Sequence, residues 1–224
     1  MFVELSYPLE EKGITYPDNP PTYFEEVERI ERGATANTSM IHLFTHTGTH
    51  VDAPFHFCKE GWKLDEVPLE YFIFEHPVLV NREKNPMELF TLEDIEEINL
   101  EEVDLLMFRS GFARLREKDP ATYRFLFPGI SPELARFLRE EVPSLRAIML
   151  DFLSADPLVK GAKEGYLAHK WLLSKEFSQK RPIVIFEDVN LEPITSKKIK
   201  RVIAVPVRFK GLDGSPVSVV AEVE

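Results

Sequence analysis

Apolar residues fall in short runs along most of the 224-residue chain. Six runs are rich in β-branched and aliphatic side chains: 76–81 (HPVLVN), 103–110 (VDLLMFRS), 145–151 (LRAIMLD), 181–188 (RPIVIFED), 200–209 (KRVIAVPVRF) and 215–224 (SPVSVVAEVE). Each predicts a strand. Three other stretches carry a helical pattern. TLEDIEEI at 91–98 opens on Thr91 as N-cap, with Asp94 three residues on. SPELARFLREEV at 131–142 has Ser131 as cap and Pro132 at the first helical position. GYLAHKWLLSKEF at 165–177 predicts a third helix, on which Leu172 and Leu173 share a face with His169. Strands interleaved with helices predict an α/β fold. We expect one domain over 1–224, built on a mixed β-sheet with flanking helices. No repeat, low-complexity tract or clear linker divides the chain.

Charge narrows the class of partner. The formal charge is −11, from 38 acids against 27 bases. No stretch concentrates Lys or Arg enough to follow a phosphate backbone, so nucleic acid is not expected. No apolar run is long enough to span a bilayer. The opening MFVELSYPLEEKG lacks the basic and apolar regions of a secretion signal. The single cysteine, Cys58, can form no internal disulfide and fits a reducing compartment. These readings point to a cytoplasmic protein with a small-molecule substrate.

The densest chemistry lies at 46–57, HTGTHVDAPFHF. Even positions from 46 to 56 read His, Gly, His, Asp, Pro, His; odd positions from 45 to 55 read Thr, Thr, Thr, Val, Ala, Phe. In an extended chain the titratable set would therefore occupy one face and the apolar and β-branched set the other. Full extension would leave His46 and Asp52 roughly 20 Å apart, at about 3.3 Å per residue. Metal ligands must lie within about 2.0–2.2 Å of one ion. The chain must therefore curl, and Gly48 is the residue that tolerates it; Pro54 then favours extension at Ala53. Imidazoles and a carboxylate converging in this way suit Zn²⁺, and also Mn²⁺ or Fe²⁺. A single histidine here would read as a hydrogen-bonded structural residue. Four between 42 and 56, with an aspartate in phase, favour a metal site. His42 stands apart and reads as core or as a residue behind the site.

The stretch resembles the H-x-G-T-H-x-D-x-P-x-H-F signature of the cyclase family of metal-dependent hydrolases, which includes bacterial-type kynurenine formamidases and isatin hydrolases. The likeness extends through LSYPLEEKGITYPDNP, LLMFRSGF, FPGISPELARFL, IMLDFLSAD, AHKWLL, IVIFEDVNLE and the terminal DGSPVSVVAEVE. It implies a swivelling β/β/α fold and a metal pair, usually zinc and in some members manganese. It implies His46, His50, Asp52, His169 and Glu187 as metal ligands and His56 as the acid/base. It places Tyr16 in the substrate pocket, where many formamidases carry Trp. SKEFSQKRP, between His169 and Glu187, looks like an insertion.

The resemblance further implies hydrolysis of an amide or formamide carbon–nitrogen bond by a metal-bound hydroxide, with N-formylkynurenine, of tryptophan catabolism, as the first substrate to try. Ring-opening of an isatin-like cyclic amide, or metal binding without catalysis, are the alternatives. It also implies a homodimer or homotetramer, with Tyr16 near a subunit boundary. Read from the residues alone, His169 lies on an apolar helix stripe and Glu187 competes with Asp188 for the inward direction. Asp151 and Asp156, at another strand end, read as turn residues in preference to partners of the site.

Overall fold

The computed structural model describes residues 1–224. In chain order the strands are β1 Phe2–Glu4, β2 Tyr23–Glu28, β3 Thr38–His42, β4 His50–Asp52, β5 Ile73–Phe74, β6 Pro77–Asn81 and β7 Leu89–Phe90, then β8 Leu105–Arg109, β9 Gly129–Ile130, β10 Ala147–Leu150, β11 Val184–Glu187, β12 Ile199–Ile203, β13 Gly214–Pro216 and β14 Val220–Val223. The helices are α1 Leu115–Lys118, α2 Pro120–Phe125, α3 Pro132–Glu141, α4 Leu158–Glu164 and α5 Leu167–Leu173. A six-stranded sheet runs β13-β4-β11-β10-β8-β6, and a four-stranded sheet runs β1-β14-β12-β5. β6, β8, β10 and β11 are parallel; β4 pairs antiparallel with β11, and β13 pairs antiparallel with β4.

The central strands are buried on both faces, as near-continuous apolar runs require. Alternate residues feed two separate cores. Leu106, Phe108, Ile148, Leu150 and Ile185 pack under the helices with Leu134, Leu138 and Leu172. Leu105, Met107, Met149, Val184 and Phe186 pack against the second sheet through Val202, Ala221 and Val223. Two sheets and a helical layer thus stack as β/β/α, the expected architecture.

Several elements differ from their sequence reading. The helix expected at 91–98 is a single 3-10 turn, Leu92–Asp94, closed by the Thr91–Asp94 capping box. The run 200–209 stops as a strand at Ile203, and 215–224 divides into β13 and β14 in different sheets. Helix α5 ends at Leu173, and the segment after it is held by Arg139, buried on α3, which donates to the carbonyls of Trp171, Leu172, Ser178 and Lys180. A guanidinium fork with five donors suits this task. β2 and β3 form a separate hairpin that is largely exposed. His42 lies there, 3.5 Å from Glu25, and is neither core nor behind the histidine cluster.

Candidate metal centre

The curl predicted at Gly48 is present, with Gly48 at φ +60°, and the chain straightens into β4 at His50. Register then does the assembly. β4 pairs with β11 so that His50 lies opposite Glu187 and Asp52 opposite Ile185. All four side chains point to the helical side of the sheet, where α5 presents His169. Val51 and Phe186, between them in sequence, point into the other core. Glu187 sits at the carboxyl end of a parallel strand, where open α/β sheets place their ligands. The structure therefore brings together His46, His50, Asp52, His56, His169 and Glu187; Tyr16 lines the same pocket, with Phe57, Leu153 and Tyr166.

Two carboxylates stand between two imidazoles. His50 Nε2 is 3.4 Å from Asp52 Oδ1 and 3.5 Å from Glu187 Oε2. His169 Nε2 is 3.6 Å from Asp52 Oδ2 and 3.3 Å from Glu187 Oε1. Each carboxylate thus offers one oxygen to each histidine. These separations exceed the usual hydrogen-bond mode of about 2.9 Å. They match the spacing of about 3.3–3.4 Å between donors on a tetrahedral ion with arms of about 2.0–2.1 Å. Asp52 Oδ2 is buried and has no hydrogen-bond partner in the chain. A buried orphan acceptor is costly, and a divalent cation would satisfy it. The residues fit a metal, and His50, Asp52, Glu187 and His169 could hold it.

The surrounding contacts orient the donors. Asp156 Oδ2 accepts from His169 Nδ1 at 2.6 Å, and the same carboxylate accepts from the backbone N–H of Ala168 and His169. Asp156 is therefore the partner of a site histidine, and not the turn residue expected. Asp151 lies apart and accepts from Ser110 and Gly111. Asp188 faces away from Glu187, onto Arg116 and Tyr123. Asp213 escaped the sequence reading: its Oδ2 lies 2.8 Å from His46 Nε2 and 3.2 Å from His56 Nδ1. An Asp-Gly pair reads as a turn, and nothing in the sequence ties it to a histidine 157 positions earlier.

Burial opposes charge at each of these groups, and their neighbours outweigh it. Burial pulls His46 down, but the Asp52 charge and hydrogen bonds to Asp213 and Asp52 raise it to about 9. Burial likewise opposes His50, which the Asp52 and Glu187 carboxylates raise to about 10. His169 is raised against burial by Asp156, Asp52 and Glu187. Hydrogen bonds from His46 and His56 hold Asp213 well below the usual carboxylate range. Without an ion, protons on imidazole balance the buried acids.

The Cyclase family model matches residues 3–157. The kynurenine formamidase of Bacillus cereus is 30% identical over 220 residues, covering 98% of this chain and 96% of that protein. The kynurenine formamidase of Bacillus cytotoxicus is 28% identical, covering 96% of this chain and 94% of that one. Among solved structures, isatin hydrolase A from Labrenzia aggregata, bound to benzyl benzoate, superposes with a TM-score of 0.82 at 25% identity, covering 99% of this chain and 93% of that chain. A predicted metal-dependent hydrolase from Bacillus stearothermophilus shares the fold at a TM-score of 0.75 and 22% identity, over 99% of this chain and 97% of that one.

Proposed function

Because this chain belongs to the cyclase family, we propose that it hydrolyses the amide bond of an aryl formamide, with N-formylkynurenine as the first substrate. Its relatives named kynurenine formamidase and isatin hydrolase act on carbon–nitrogen bonds outside peptides, and this chain is a hydrolase of that class. The observation that carries the metal-dependent reading is the buried pair Asp52 and Glu187, each offering one oxygen to His50 and one to His169. That symmetry supports two metal positions, with Zn²⁺ or Mn²⁺ as the ions. His46 would join the first: its Nδ1 lies 2.7 Å from Asp52 Oδ1, a hydrogen bond that an ion would replace.

A divalent metal there lowers the pKa of water and polarises a carbonyl. The chain's own groups do the rest. His56 lines the pocket with Nδ1 turned to Asp213, which leaves Nε2 free to take a proton from the attacking water. The same ring returns that proton to the leaving nitrogen as the carbon–nitrogen bond breaks, releasing amine and formate. Tyr16 and Phe57 flank the pocket and suit a flat aromatic substrate.

Isatin-like ring opening is the second reading. The fold match to isatin hydrolase A favours it, as does Tyr16 where many formamidases carry Trp. Turnover of N-formylkynurenine and isatin by protein loaded with Zn²⁺ or Mn²⁺ separates the two. A formamide preference of at least tenfold is expected; metal-loaded protein that hydrolyses neither formamide, cyclic amide nor ester would sink the enzyme reading and leave metal binding alone.

Assembly as a homodimer or dimer of dimers belongs to the same proposal. The β2–β3 hairpin exposes Tyr23, Val27, Ile30, Met40 and Ile41, and a lone two-stranded hairpin is marginal in water. A second copy of the chain would cover it. No helix is long and apolar enough to cross a membrane, and the single cysteine suits the cytoplasm.

A further inference from the structure

Three imidazoles reach toward Asp52 and Glu187, and each has its other ring nitrogen tied down. His50 Nδ1–H donates to the Gly48 carbonyl at 2.8 Å, and His169 Nδ1–H donates to Asp156 at 2.6 Å. Both rings thus present Nε2. His46 is turned the other way: Nδ1 lies 2.7 Å from Asp52 Oδ1, and Nε2 lies 2.8 Å from Asp213 Oδ2. Asp213 Oδ2 also lies 3.2 Å from His56 Nδ1. An ionised carboxylate only accepts, so both rings must donate to it.

We infer that Asp213 is a positioning residue serving both histidines, a role that rests on the hydrolase reading above. It keeps the His46 proton on Nε2, so that Nδ1 is the nitrogen offered to a metal beside Asp52. It keeps a His56 proton on Nδ1, so that Nε2 faces the pocket as the proton carrier. Partners behind ligating histidines fix tautomer and ring orientation in this way.

Local structure explains how residue 213 reaches both rings. β13 pairs with β4 so that Gly214 lies opposite Asp52, and the Asp213 carbonyl accepts from Ala53 N–H at 2.9 Å. Thr45 Oγ1 donates to Oδ1 at 3.2 Å, leaving Oδ2 for the rings. The rings of His46 and His56 lie 4.0 Å apart, inclined by 32°, so one oxygen serves both. A Cβ at position 214 would stand 2.9 Å from His46 Cε1 and 2.7 Å from the Val51 carbonyl. Glycine is what lets this strand come so near the ring.

The test uses full-length protein labelled with ¹⁵N-histidine, metal-free and Zn²⁺-loaded, with ring signals assigned by replacing His46 and His56 singly. Long-range ¹H–¹⁵N spectra should show the His56 proton on Nδ1 in both states and zinc on His46 Nδ1 in the loaded state. Asp213→Asn, which keeps the shape and removes the charge, should lower kcat and zinc affinity each by about 10–100-fold, leave KM within about threefold, and disturb both ring signals. Neutral His56 protonated on Nε2, or zinc on His46 Nε2, overturns the assignment from the wild type alone, even if the variant is unstable. So does an Asp213→Asn protein with kcat and zinc affinity within twofold of wild type. Failure of the hydrolase reading looks different: the wild type shows these tautomers yet hydrolyses no amide.

Discussion

Glu187 and Asp188 are neighbours at the end of β11, both buried, and their charges are balanced in opposite ways. Asp188 receives a cation from the chain itself: Arg116 Nε and Nη2 each donate at 3.1 Å, and the Tyr123 hydroxyl donates at 2.5 Å. Its backbone is in the left-handed region, at φ +52°, and its carbonyl accepts from Thr49, the residue before His50. Glu187 has no lysine or arginine partner; it faces Asp52 across His50 and His169. A buried acid with its own guanidinium is a structural ion pair. Two buried acids whose only possible counter-charges in the chain are imidazoles carry a double negative charge whenever those imidazoles are neutral, and an external dication is the natural remedy.

Exchanging each acid for its amide should separate the two roles. Glu187→Gln is expected to cut metal binding to below one ion per chain and to lower activity by at least about 10³-fold, while the fold survives. Metal analysis of the purified protein beside a rate measurement checks this; full metal occupancy would remove Glu187 from the ligand set. Asp188→Asn should do the reverse. Removing one partner of a buried pair costs about 3–5 kcal/mol, and Asn tolerates the left-handed backbone. We expect a melting temperature lower by about 10 °C, at about 2–4 °C per kcal/mol for a chain of this size. Metal content per folded molecule should be unchanged, and a loss of metal equal to that of Glu187→Gln would erase the distinction.

The same contrast governs what the sequence discloses. The curl from His46 to His56 is legible because Gly48, the alternation of residue types and Pro54 act within a dozen residues. Helix α3 is legible because Ser131 and Pro132 mark its start locally. Glu187 and Asp188 are not separable in this way: which one faces His50 depends on the register of β4 against β11, a contact between residues more than 130 positions apart. Asp156 reads as a turn residue in sequence because its partner sits on the helix after α4. Asp213 carries no local signal, because its role exists only once β13 pairs with β4. The helix expected at 91–98 stops early for a different reason: the capping box closes a single turn at Leu92–Asp94, and Ile95 and Ile98 reach the core without a further helical turn.

Titration of the metal-free protein sharpens the comparison further. There, protonated imidazoles supply the charge that Arg116 supplies to Asp188. His46 and His50 are raised to about 9 and about 10, and His169 is raised as well, above the unfolded value near 6.5. Groups with raised folded pKa values stabilise fully below the unfolded value, and that stability is lost as pH rises through the folded values. The melting temperature of metal-free protein should therefore fall between about pH 7 and pH 10. Zinc-loaded protein should fall less, since metal binding has already displaced those protons. Parallel pH scans with and without chelator report the difference, and identical slopes would mean that the imidazoles are not the counter-charge.

The smallest expected effect concerns a polar atom that neither a cation nor an acid satisfies. The Tyr16 hydroxyl is buried at the pocket and has no hydrogen-bond partner in the chain, while its ring leans on Phe127 at 6.1 Å. Like Asp52 Oδ2 it is an orphan; unlike Asp52 it is neutral, so a substrate's polar group or a water can satisfy it without an ion. Tyr16→Phe keeps the ring contact and removes only the hydroxyl. A neutral hydrogen bond is worth about 0.5–1.5 kcal/mol. KM for the preferred amide should therefore rise by about 2–12-fold, with kcat, metal content and melting temperature little changed. Steady-state kinetics on the metal-loaded variant measures it. An unchanged KM would mean that the hydroxyl meets solvent in place of substrate, and that the pocket reads its ligand through shape alone.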